Sequence, residues 1–389
     1  MSAVATGSVA ASAGGDIAWL WPLAVALAVT LLAAPVVRRI AVERQLYDHP
    51  DKGLKPHEQP VPYLGGVAIY IGWLGALLCA MVLWEECRDK LPWIAAAGSV
   101  LMLTGLVDDI RHLRPKVRLL VQGGVAGLLL LGGIGEDALL ACMLPFRDFL
   151  PEWMLSEVVT TVLGGLFCVV VLAGATNSTN LIDGLDGLCA GIVAIASAGF
   201  FIIAESVGPA GAAGGGEKLI LTAVCLGVLG ACVGFLRHNH NPASMFMGDS
   251  GSYLLGFNVA VVLIILAEQP SWRWFAGGLM IFAFPVFDTA LAIVRRCLND
   301  RPLFIGDRSH FYDQLRDRGL SVRQTVLLCY GIGLCFAVVG AVAVRLSASA
   351  LVGVFAVGPI LLALCCWRLG MLRVDDAAER SNKNTNEPR

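Results

Sequence analysis

SYLLGFNVAVVLIILA, residues 252–267, decides what kind of chain this is. No charge interrupts the run, and its length approaches the ~20 residues that a helix needs to cross a bilayer. Similar apolar blocks fall at 17–37, 64–84, 93–107, 117–134, 157–174, 188–206, 219–236, 274–294, 325–344 and 350–367. Together they predict an all-α, polytopic membrane bundle of about eleven transmembrane helices. The composition agrees. The 389 residues are 57% hydrophobic and 15% charged, against about 25% charged in an ordinary soluble domain. Gly and Pro recur inside the blocks, as membrane helices tolerate when they pack on neighbours.

The lysines and arginines orient these spans. With the N-terminus outside, the inner side collects Arg38, Arg39, Arg44, Lys52 and Lys55, then Arg111, Arg114, Lys116 and Arg118, then Arg237. A long basic loop adds the arginines from Arg295 to Arg323, and the tail adds Arg368, Arg373, Arg380, Lys383 and Arg389. The outer side keeps only Arg88, Lys90, Arg147, Lys218, Arg273 and Arg345. The excess predicts a cytoplasmic C-terminus and an N-terminus outside. Residues 1–16 read as a disordered lead without a signal-peptide n-region. Residues 17–367 form one transmembrane domain, and 368–389 a disordered cytoplasmic tail. The Gly/Ala stretch 208–216 reads as a linker.

Several functions are excluded or disfavoured. A net charge of −2 makes no case for nucleic acid. The 12 cysteines form no CxxC pair and no zinc spacing. Most lie inside apolar blocks as small buried hydrophobes, while Cys87 and Cys142 fall in outer loops where they could pair. No GxxxxGK[ST] occurs, which argues against ATP hydrolysis at a P-loop.

With this topology the polar clusters gather on one side, although only Lys and Arg were used to set it. They are Asp108-Asp109, the run Asn177-Ser-Thr-Asn180-Leu-Ile-Asp183-Gly-Leu-Asp186-Gly, the run His238-Asn239-His240-Asn241-Pro242 leading to Phe246-Met-Gly-Asp249-Ser-Gly251, and Asp307-Arg308-Ser-His310. Carboxylates at a membrane edge mark function by default. Oxygen ligands of this kind suit Mg²⁺ completed by substrate phosphates, and the adjacent glycines let backbone approach a phosphate. These are the parts of a phosphoryl-transfer site, which works by positioning and charge neutralisation.

Singly, several residues have plainer readings. Asp108-Asp109 could be a solvated helix end, His238 and His240 interfacial side chains, and Asp288 a helix-packing hydrogen bond. DGLDG lacks the twelve-residue calcium-loop pattern. A secondary transporter is the alternative of another class. It would place ionisable groups near the midplane between repeats, whereas here they cluster at one face and no repeat is visible.

In combination the chain resembles the polyprenyl-phosphate N-acetylhexosamine-1-phosphate transferases, glycosyltransferase family 4. The pieces that carry the likeness are Asp48-His-Pro-Asp51, Pro62-Tyr-Leu-Gly65-Gly66, Val107-Asp108-Asp109, Asn177 to Leu188, Phe246-Met-Gly-Asp249-Ser-Gly-Ser252 and Asp307-Arg308-Ser-His310, over roughly residues 20 to 345. Asp288 followed by Arg295-Arg296 is similar to the branch that joins UDP-GlcNAc to undecaprenyl phosphate. The phospho-N-acetylmuramoyl-pentapeptide transferase branch is the alternative. The family's His-x-His-His run is here His310-Phe311-Tyr312-Asp313, so only the first histidine is present.

The resemblance implies a UDP-N-acetylhexosamine donor, undecaprenyl phosphate as acceptor, UMP as leaving product, and Mg²⁺ with Mn²⁺ as a substitute. It implies an active site on the cytoplasmic face of a bacterial inner membrane, a place in cell-envelope glycan assembly, and allows a homodimer. Carried onto matching positions, Asp249 binds the metal. Asp183, Asn239 and Phe246 meet the uridine end, and Asp186, Asn177 and Asn180 shape the sugar-phosphate site. Asp108 orients or deprotonates the lipid phosphate with Asp109 in support, and Arg308 and His310 act from the loop.

Overall fold

The computed structural model describes residues 17–49, 59–143, 151, 154, 156–207, 215–299 and 310–372. The expectations for 1–16, for Arg308, for most of the 208–216 linker and for the tail beyond 372 lie outside the described residues.

In chain order the helices are α1 Trp21–Glu43, α2 Gly65–Leu83, α3 Leu91–Arg111, α4 Pro115–Leu131, α5 Ala138–Met143, α6 Glu157–Leu181, α7 Leu188–Ala204, α8 Gly215–Asn239, α9 Gly248–Ala267, α10 Arg273–Ile281, α11 Ala283–Leu298, α12 Phe311–Asp317, α13 Val322–Ala343 and α14 Ala348–Arg368. The only paired strands among the described residues are β1 Tyr47–Asp48 and β2 Val61–Pro62, antiparallel, with Tyr47 opposite Pro62. The protein is a polytopic helical membrane protein.

Every expected span coincides with a helix, and the ninth, 274–294, is a bent pair. Among the described residues eight helices are long and apolar enough to cross a membrane, or nine if α10 and α11 count as one span bent by 73°. Leu188–Ala204 is apolar but only 17 residues long, and Pro115–Leu131 is also 17 residues. At ~1.5 Å per residue each reaches ~25 Å, short of a ~30 Å hydrocarbon core. The bend has a local cause. Pro285 has no N–H to offer the Ile281 carbonyl, so the helix ends there and restarts. Cys87 and Cys142 are both free thiols.

Packing around α9 organises the bundle. Residues Ser250 to Ala267 of this helix are all buried, enclosed by α2, α3, α5, α6, α7, α8 and α10. Small residues let the neighbours come close: a Cβ on Gly66 would collide with the backbone of Gly251, and one on Gly105 would lie 2.5 Å from Asp249 O. At the rim, by contrast, α14 buries only Leu351 and Cys366. Residues such as Val352, Val357, Ile360 and Leu361 are exposed, as suits a helix that faces lipid.

Candidate active site

Three segments that are distant in sequence meet where α3 and α8 finish and α9 begins. The chain after β2 runs alongside the segment before α9. Phe246 N donates to Pro62 O at 3.0 Å, Gly65 N to Phe246 O at 2.9 Å, and Gly66 N to Met247 O at 2.8 Å. This pairing explains why Pro62-Tyr-Leu-Gly-Gly and Phe246-Met-Gly-Asp both carry small residues, since each is the other's backbone partner.

The N-terminus of α9 has no capping side chain of its own. Asp109 of α3 supplies one, accepting from Asp249 N at 2.7 Å and Ser250 N at 3.2 Å. A carboxylate there satisfies orphan donors and faces the positive end of the helix dipole. Gly248 makes room for it. Its φ is +70°, and a Cβ would lie 2.7 Å from Asp109 Oδ2. Asn180, in the last turn of α6, donates to Asp249 Oδ1 at 2.7 Å and Ser252 Oγ at 3.0 Å.

Between α6 and α7 a short loop carries Asp183 and Asp186. Asp186 Oδ2 accepts from Asn241 Nδ2 at 2.9 Å and Ala243 N at 3.0 Å. Asn239, nearly fully buried, accepts from Gly187 N at 3.1 Å and donates to Met245 O at 3.1 Å. It thereby ties the loop before α7 to the loop before α9. Burial pushes the Asp183 carboxyl well above the ordinary aspartate value, and the negative charges of Asp249, Asp109 and Asp186 push it further.

These segments enclose a cavity of about 950 Å³. Of the residues expected in the site, Asp109, Asn180, Asp183, Asp186, Asn239, Phe246 and Asp249 line it. Asp108, Asn177 and His310 do not. Asp108 is fully buried behind Asp109. Its carboxylate is spanned by Arg118, with Nε 2.7 Å from Oδ2 and Nη2 donating to Oδ1 at 2.9 Å, and it also accepts from Leu113 N and Tyr253 Oη, each at 2.7 Å. Asn177 is exposed and donates to Ala173 O on its own helix at 2.7 Å. His310 Nδ1 lies 2.7 Å from Asp288 Oδ2, behind the α6–α7 loop. Cavity-lining residues that sequence reasoning missed include Arg38, Gln59, His112 and Ser244. Tyr63, Asp48 and Asn241 also line it and sat within quoted motifs, but nothing local marks Arg38 or His112.

Among the described residues no three His, Cys, Asp or Glu side chains converge tightly enough to hold a metal alone. The donor set still fits a hard divalent cation. Carboxylates of Asp249, Asp109 and Asp183 share one cavity and repel one another, and Mg²⁺ characteristically takes one or two carboxylates with substrate phosphates and water completing its shell.

Fold and cavity thus define a helical membrane protein whose acidic residues converge around one cavity at one end of the bundle. The chain belongs to glycosyl transferase family 4, whose family model matches residues 91–267. It is 33% identical over 315 residues to the probable undecaprenyl-phosphate N-acetylglucosaminyl 1-phosphate transferase of Bacillus subtilis, across 81% of this chain and 82% of that one. It is 31% identical over 322 residues to the decaprenyl-phosphate N-acetylglucosaminephosphotransferase of Mycolicibacterium smegmatis, across 78% and 76%. With the phospho-N-acetylmuramoyl-pentapeptide-transferase of Bacillus thuringiensis it shares 28% identity over 329 residues, across 81% and 93%.

Proposed function

We propose that this protein transfers N-acetylglucosamine 1-phosphate from UDP-GlcNAc to a polyprenyl phosphate, undecaprenyl phosphate in a bacterial inner membrane, and releases UMP. The observation that carries the reading is the cavity. Asp109, Asp183, Asp186 and Asp249 line it at the ends of membrane helices, where a soluble nucleotide and a lipid phosphate can both arrive. The positive-inside pattern supports a cytoplasmic location for this face.

In the reaction, an oxygen of the polyprenyl phosphate forms a bond to the phosphorus that bears the sugar. The bond from that phosphorus to the bridging oxygen breaks, and UMP leaves with the electron pair. A phosphate monoester has a second pKa near ~6, so the acceptor is already largely dianionic at neutral pH and gains little from a general base. Positioning and charge neutralisation are the larger contributions. Asp249, with Asp109 and Asp183 beside it, would hold Mg²⁺, which would neutralise charge on the pyrophosphate of the donor. Asp109 faces the cavity and is assigned the acceptor phosphate. Asp108 acts behind it by fixing Arg118 and Tyr253. Asp183, Asn239 and Phe246 are assigned to the uridine end, and Asn180 and Asp186 to the sugar phosphate. Arg308 is assigned to the donor diphosphate, while His310, held by Asp288 behind the α6–α7 loop, would act on the donor only through that loop.

The test is transfer of label from UDP-[³H]GlcNAc into undecaprenyl phosphate by purified protein, with and without Mg²⁺. Metal-dependent label in the lipid phase is the expected result. Label only from UDP-MurNAc-pentapeptide would move the protein to the other branch, and no transfer from either donor would overturn the reading.

A further inference from the structure

The loop that carries Asp183 and Asp186 contains Gly184 and ends on Gly187, whose φ is +81°. Glycine-rich chain has little stiffness of its own, so something else must hold these two carboxylates in register. Two tyrosines from outside the cavity do so. Tyr312 of α12 is 4% exposed and donates its hydroxyl to Leu181 O at 3.0 Å. Tyr330 of α13 donates to Gly187 O at 2.5 Å. The two acceptors flank the loop on either side. The rings also fill the space above it: a Cβ on Gly184 would run into the Tyr312 phenol, and one on Gly191 into that of Tyr330.

Tyr312 is anchored in turn. Its ring stacks on His310 at 5.5 Å with the planes 6° apart. Asp288, fully buried on α11, meets His310 Nδ1 at 2.7 Å through one oxygen and accepts from Phe311 N at 2.6 Å through the other. Phe311 packs edge-on against Phe284 and Phe287, 6.1 and 6.0 Å away at interplanar angles of 85° and 68°. The start of α12 is therefore tied to α11, and Tyr312 passes that position on to the end of α6.

We infer that Tyr312 and Tyr330 are positioning residues for the UDP-sugar, a two-point clamp that fixes the Asp183–Asp186 loop from behind. This rests on the proposed function. Neither phenol lines the cavity, so both act through the loop and not on substrate.

Steady-state kinetics on full-length Tyr312→Phe and Tyr330→Phe, each keeping its ring, test the inference. Each is expected to raise KM for UDP-GlcNAc about 5-fold, the scale of one neutral buried hydrogen bond, and to leave KM for undecaprenyl phosphate unchanged. The double variant is expected to raise the donor KM further. A merely structural role would lower the active fraction, and hence kcat, without separating the two KM values, and that result would overturn the clamp. A second measurement does not depend on turnover. Amide hydrogen exchange at 182–187 is expected to quicken in Tyr312→Phe while peptides of α9 keep their protection. Unchanged exchange at 182–187 would also overturn the clamp. Wild-type protein that fails to transfer from UDP-GlcNAc would count against the proposed function alone, since the exchange readout still decides on the clamp.

Discussion

At the end of the bundle where α3 begins and α9 finishes, acidic side chains have basic partners: Glu217 lies 3.6 Å from Lys90, Glu205 3.1 Å from Lys218, and Glu85 3.1 Å from Arg88. Glu268, just past α9, has no such bond but accepts from Gly135 N at 2.6 Å. Burial pushes its pKa up to about 7, where it can hold a proton near neutrality. At the other end of the same helices, Asp109, Asp186 and Asp249 accept hydrogen bonds from amides. Among the described residues no lysine or arginine reaches ion-pair distance of these three or of Asp183. One end pairs three of its acids with basic side chains, while the other brings Asp109, Asp183, Asp186 and Asp249 around one cavity with no ion pair to them among the described residues. That difference separates a structural polar surface from a site better than any single motif does.

The comparison breaks most sharply at Asp249. Asp249→Asn is expected to lower label transfer by at least ~10³-fold, beyond the usual cost of losing one preorganised electrostatic contact. Near-normal turnover with Mg²⁺ would remove the metal assignment. Next comes Asp108, whose buried carboxylate is paired with Arg118. Asp108→Ala leaves the Arg118 guanidinium without its carboxylate and is expected to cost ~3 kcal/mol of stability, seen as a lower melting temperature of the detergent-solubilised protein. Unchanged melting would mean that Arg118 is held by something else.

Asp183 gives a smaller effect of opposite sign. Its folded pKa lies above the unfolded value, so the folded state binds more protons, and stability falls as pH rises from the ordinary aspartate range through the raised pKa. Asp183→Asn is expected to abolish that fall and raise the melting temperature at pH 7 by a few degrees without metal. Mg²⁺ is expected to do the same for the wild type. If melting in Asp183→Asn keeps the wild-type pH dependence, the uncompensated charge lies elsewhere. Smallest of all is Lys218→Ala at the opposite end. It breaks a partly exposed pair and is expected to shift stability by less than ~1 kcal/mol with transfer unchanged. A large loss of activity there would erase the distinction between the two ends.

The helices were legible because each long apolar run has one dominant solution in a bilayer, with its backbone hydrogen bonds closed within the segment. The bend at Pro285 was less so. A span of 21 residues at 274–294 reads as continuous until the missing N–H is traced to its acceptor. In the site, the glycine-flanked aspartates could be seen as a group because each sits in its own polar island between apolar runs. What could not be seen was the order of layers. Nothing in Asp108-Asp109 says that the first faces Arg118 and Tyr253 and the second the cavity, because that depends on how α3 is rotated against α9. Tyr312 and Tyr330 were hidden for a similar reason. Their acceptors are main-chain carbonyls more than a hundred positions away, and a carbonyl leaves no mark in a sequence.

The complete enclosure of α9 bears on how the protein is made. A helix leaving the insertion machinery normally meets lipid first and neighbours later. Ser250, Ser252 and Asn258, all buried in the finished bundle, would be poorly suited to that exposure. Six of the helices that surround α9, namely α2, α3, α5, α6, α7 and α8, are synthesised before it, and α10 follows directly after it. The order of the chain thus lets the earlier helices form a slot, so that α9 can pass into a protein environment with little residence among acyl chains.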